Sequence, residues 1–86
     1  MKIKFFYFEK DEMSLLCDKE VSMCKGLAKI EKFNIESSEG IVEANFYGIR
    51  ETPAVLLFAD NDAELVRWER KFVSYREIID EIEDCK

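Results

Sequence analysis

The sequence predicts an α/β sandwich: a mixed four-stranded sheet with helices on both faces, in the order β-α-β-α-β-β-α. Three observations carry this. Two dense apolar runs, Ile3–Phe8 and Ala54–Ala59, read as central strands covered on both sides. Between and after them lie segments whose apolar residues recur at helical spacing. Breakers are rare, with three glycines and one proline, so each one marks a boundary. With 86 residues and no linker, repeat or low-complexity tract, the chain is one domain, residues 1–86.

Taken in order, Ile3–Phe8 forms the first strand. Asp11, Glu12 and Ser14 then suit a helix start, with short polar caps and acids near the positive end of the helix dipole. Apolar residues at 16, 17, 21, 23, 24, 27, 28 and 30 predict an amphipathic helix from about Ser14 to Glu31, with Gly26 inside it. Lys32–Glu36 alternates apolar and polar, as a short strand does. Ser37–Gly40 caps a second helix that Gly48 ends. Ile49–Pro53 is extended, because the residue before proline is pushed towards β. Ala54–Ala59 is a core strand, Asp60–Asp62 a tight turn, and Glu64–Glu69 a strand paired with it. Ser74 and Glu77 make a capping box for a last helix carrying Ile78, Ile79 and Ile82. A crossover through the first helix makes the first two strands parallel neighbours.

Composition narrows the chemistry. The net charge is −6, so neither nucleic acid nor an anionic membrane is an expected partner. Histidine is absent, which removes imidazole catalysis and any histidine-containing zinc site. No apolar run reaches the length of a membrane span or a secretory signal, and a cytoplasmic protein is expected. The cysteines stand at 17, 24 and 85, with no C-x-x-C spacing. Neither a disulfide framework nor a metal site is expected, and no cofactor. On one continuous helix, Cys17 and Cys24 would be about 10.5 Å apart along the axis, too far to bridge.

The stretch Asn45-Phe46-Tyr47-Gly48-Ile49-Arg50-Glu51-Thr52-Pro53-Ala54-Val55-Leu56-Leu57-Phe58 resembles the Tyr-Gly-Ile-Arg-x-Thr-Pro run that leads thioredoxins into an apolar strand. The turn at Asp60–Asp62, then Val66, Trp68 and the capped last helix, continue the likeness over nearly the whole chain. The resemblance implies a thioredoxin-like three-layer sandwich and a cis Thr52–Pro53 bond. It also implies that the backbone of Thr52 is free to pair with an extended peptide.

The chain departs from that family where its chemistry resides. Thioredoxins carry a C-x-x-C pair at the amino end of the first helix, where the dipole lowers a thiol pKa. Here the two positions fall on Asp11 and Ser14, or on Met13 and Leu16, depending on register. The preceding tryptophan and the carboxylate of the first strand are missing too. One expectation is therefore a binding module for a protein or extended peptide, using Thr52, Pro53, Met13, Ser14 and Leu16. The alternative is a monothiol redox protein with Cys17 as the catalytic thiol. Against that stand its place inside the helix, its acidic neighbours Asp18 and Glu20, and its apolar helix face. A third reading is a subunit whose apolar face is completed by oligomerisation. Cys24 reads as core filler and Cys85 as incidental. Arg67, Arg70 and Lys71 read as an edge balanced by Glu64 and Glu69, and Asp11 and Glu12 as helix caps rather than metal ligands.

Overall fold

A computed structural model describes residues 1–85. Its elements are β1 (Lys2–Tyr7), α1 (Glu12–Ser22), β2 (Lys29–Asn34), α2 (Ser38–Tyr47), β3 (Ala54–Phe58), β4 (Glu64–Glu69) and α3 (Tyr75–Asp84). The strands form one mixed sheet in the order β2-β1-β3-β4. β1 runs parallel to β2 and antiparallel to β3, and β3 is antiparallel to β4.

Side chains alternate along each strand, so the sheet builds two cores. Ile3, Phe5, Val55 and Leu57 pack beneath α1 and α3, against Cys17, Val21, Ile78 and Ile82. Phe6, Leu56 and Phe58 face the other way, beneath α2, with Phe33, Ala44 and Ile49. Both central strands are covered on both faces, which is why they read as continuous apolar runs. Lys4 shares the α2 side; its ammonium lies 2.7 Å from Glu43 and 4.8 Å from the centre of the Tyr47 ring. Burial lowers its pKa, but the hydrogen bonds to Glu43 and Tyr47 outweigh this and the net shift is upward.

The caps follow the sequence. Asp11, Ser37 and Ser74 are the N-caps, accepting from the N–H of Met13, Gly40 and Glu77, and Gly48 closes α2 in the left-handed region at φ 69°. The first helix departs from expectation. It ends at Ser22 rather than near Glu31, and β2 begins at Lys29 rather than Lys32. The turn from Met23 to Ala28 contains Gly26 at φ 96°, a conformation no helix accommodates. Residues 29 and 30 then pair with Lys2 and Ile3. The apolar spacing over 27–30 therefore belongs to a turn and a strand, and a ladder partner 27 residues away overrides it. Cys24 accordingly lies beyond α1, in that turn.

No helix among the described residues is long and apolar enough to cross a membrane.

Candidate functional site

Three chain segments meet at the end of the sheet where β1 finishes and β3 starts. Phe6 pairs with Ala54, which brings the exit from β1 beside Pro53. Past β1, the Phe8 N–H donates to Ser14 Oγ at 3.3 Å and fixes the start of α1 over the same end. The Pro53 carbonyl accepts from Arg70 N–H at 2.9 Å, bringing in the loop after β4. Cys17 then joins this loop to α1. Its sulfur accepts from Val73 N–H at 3.3 Å and faces the Lys71 carbonyl at 3.8 Å. Glu20 adds a second tie, accepting from Tyr75 N–H at 2.8 Å.

Each residue expected at the site has a definite place. The Thr52–Pro53 peptide bond is cis. Pro53 is buried and Thr52 half-buried. Among the described residues, neither the N–H nor the C=O of Thr52 has a hydrogen-bond partner, although the strand that follows is paired on both edges. Met13 and Leu16 are 41% and 50% exposed, and Leu15 between them is exposed as well. An open groove of about 200 Å³ runs on the α2 side of Thr52, walled by Ile41, Ile49 and Glu51.

Ser14 and Cys17 are both buried. Ser14 is only 1% exposed and presents no surface to a ligand. Its hydroxyl donates to Asp11 Oδ2 at 2.9 Å while accepting from Phe8, so it braces the start of the helix. Cys17 is fully buried in the α1–α3 core. Burial pushes its thiol pKa up, and the carboxylates of Asp11, Glu20 and Glu77 add to the shift, against a smaller opposing effect of the Val73 N–H. A sulfur that is protonated, inaccessible and already engaged is poorly suited to nucleophilic attack.

One surface residue escaped the sequence reading. Phe72 lies between Lys71 and Val73, whose backbones grip Cys17, yet its ring is 42% exposed. The basic residues of β4 and of this loop are paired: Arg67 with Glu64 and Glu69 within β4, Arg70 with Glu51, and Lys71 with Glu77. The signal available was a lone aromatic in a polar loop just before a helix cap, with no strand or helix periodicity to claim it. Phe72 is thus a third exposed apolar side chain, on the loop tied to α1 through Cys17.

The buried thiols have a pH consequence. Burial also pushes Cys24 up, to about 11. In the unfolded chain a thiol titrates near about 8.5, so above that pH the unfolded state sheds protons that the native state keeps. Stability is full below the unfolded value and falls as pH rises from about 8.5 through the folded value. Calorimetry over this window is expected to show a falling Tm, and Cys24→Ala to flatten the fall relative to the parent. Identical slopes would contradict the burial of that thiol.

No family model matches the chain, and no curated protein matches it by sequence. Solved structures do match. Thioredoxin 1 from the thermophilic eubacterium Thermosipho africanus is 24% identical, with a TM-score of 0.80 over 99% of this chain and 93% of that one. Thioredoxin-2, a component of the malaria parasite protein secretion machinery, is 17% identical, with a TM-score of 0.82 over 96% and 81%. A thioredoxin from Thermus thermophilus is 17% identical, with a TM-score of 0.70 over 98% and 72%. At these identities the likeness is one of architecture: a β2-β1-β3-β4 sheet between helices, built from this sequence, is a thioredoxin-like fold.

Proposed function

We propose that the protein is a binding module that holds an extended segment of a partner protein against Thr52. The observation that carries this is the unpartnered N–H and C=O of Thr52, at the head of a strand whose other residues are paired. A peptide laid alongside can accept one bond and donate the other, adding a short strand. The exposed side chains of Met13, Leu16 and Phe72 supply apolar contacts for alternate residues of the guest. The fold contributes the scaffold, and the chain carries no C-x-x-C pair to make the contact a reaction.

Likeness to thioredoxins supports a second reading, thiol–disulfide exchange through Cys17. Exchange requires a thiolate that an incoming disulfide can reach. The burial of Cys17 and its raised pKa weigh against that reading.

The test is a screen of fluorescent extended peptides with alternating apolar residues, read by anisotropy. Saturable binding is expected, weakened about 10-fold or more by Met13→Asp or Phe72→Asp, as for an apolar anchor at an interface. In parallel, iodoacetamide is expected to label exposed Cys85 first, and Cys17 only at the rate of unfolding. No saturable peptide in the screen overturns the binding reading. Rapid labelling of Cys17 in the native protein restores the redox one.

A further inference from the structure

At the far end of α1 from the site, where the helix stops at Ser22, a cleft opens. It lies between Ser22, the Met23–Ala28 turn and the free edge of β2, and its volume is about 530 Å³. Small-molecule sites commonly span about 300–1,000 Å³. Three lysines line it, Lys25, Lys29 and Lys32, together with Ser22; Ala28 and Ile30 supply apolar wall. No carboxylate is part of the lining. On a chain of net charge −6, this is a local reversal of sign.

Lysines after a helix often serve to satisfy its last carbonyls. Here that work is done by backbone. The carbonyls of Lys19 and Glu20 accept from Met23 N–H, that of Val21 from Cys24 N–H, and that of Ser22 from Lys25 N–H. Ion pairing accounts for only part of the cluster. Lys32 is held by Asp18 and the Ser22 hydroxyl, each at 2.7 Å. Lys29 meets Glu31 only at 3.9 Å, and Glu31 also serves Lys4. Lys25 has no ion pair among the described residues. Lys25 is thus free to take a negative charge at this partly apolar cleft, and Lys29 is held only by the long contact to Glu31.

We propose that this cleft binds a small amphipathic anion, a carboxylate with a short apolar body. The head group sits between Lys25 and Lys29, and the apolar body lies along Ala28 and Ile30. The site is separate from the Thr52 surface and does not depend on the function proposed there.

Octanoate serves as the probe, followed by ¹H–¹⁵N correlation spectra of the full chain. Saturable shifts centred on Ser22, Lys25, Ala28, Lys29 and Ile30 are expected. Octanamide, the uncharged counterpart, should bind about 10-fold more weakly, and so should octanoate to the Lys25→Gln/Lys29→Gln double variant, since each change removes the charge-assisted contacts. Both positions are exposed, so the variant is expected to keep the parent spectrum elsewhere. Acetate, with the same head group and almost no apolar body, should not saturate over the same range. The proposal is overturned if octanoate gives no saturable shifts, if octanamide or acetate matches it, if the double variant binds it equally, or if the shifts centre on Met13 and Phe72.

Discussion

Gly40→Ala is expected to destabilise the protein by about 3 kcal/mol or more, as overpacking against an unyielding neighbour does. Helix propensity alone gives the opposite sign, since alanine in place of a helical glycine gains about 1 kcal/mol. The reason lies in the corner between β2 and α2. A Cβ on Gly40 would stand 1.8 Å from the carbonyl oxygen of Asn34 and 2.6 Å from its carbon. The obstacle is backbone, and it is held in place. That same carbonyl accepts from Ser37 N–H at 3.0 Å and from Ser37 Oγ at 2.7 Å, while Asn34 Oδ1 accepts from Glu36 N–H. Asn34 is also the last residue of β2, in register with Tyr7. To make room, α2 must lift from the sheet or the end of β2 must detach. Urea denaturation of the variant and the parent checks this, and a loss below 1 kcal/mol would show that the corner yields.

Phe6→Ala carries the second large effect, about 3–5 kcal/mol, typical of a phenylalanine removed from a packed core. Phe6 is fully buried and stacks on Phe33 with ring centres 5.2 Å apart, and Tyr47 meets it edge-on at 6.4 Å. Against a domain stability of about 5–15 kcal/mol, such a loss consumes a large share of the total. It also reaches the candidate site. Phe6 is the β1 partner of Ala54, the residue after Pro53, so a cavity there loosens the support under Thr52. Hydrogen exchange at Ala54 should therefore accelerate along with the drop in the urea midpoint. Phe46→Ala is the control: that ring is 77% exposed and is expected to change stability by no more than about 0.5 kcal/mol. Equal effects of the two substitutions would contradict the assignment of Phe6 to the core.

The candidate site was legible in unequal parts. Thr52 and Pro53 stood out because a single proline precedes an apolar run, and the fold places them at the junction of three segments. Met13 and Leu16 are exposed, because the residues after a helix cap lie at the helix end, where the core does not cover every side. Ser14 was misplaced for a reason a linear reading does not contain. Whether a serine in the first turn faces solvent depends on what lies above the end of β1, and here it is the Phe8 N–H. Cys17 and Phe72 form the complementary case. Their relation spans more than fifty residues and depends on how α1 meets the loop before α3.

Local signals in the chain were sufficient for the number, type and order of its elements, for the capping turn at Ser37–Gly40, the capping box at Ser74 and the stop at Gly48. These follow from apolar period, cap chemistry and scarce breakers, which act within a few residues and need no knowledge of the rest. Tertiary structure alone decided where α1 gives way to β2, that Gly40 must stay bare, and which side chains of the first helix meet solvent. Each of these is settled by contact between residues distant in sequence. The strand ladder from β1 captures residues 29 and 30, the Asn34 carbonyl fills the space a side chain would take, and the Lys71–Val73 backbone encloses the Cys17 sulfur.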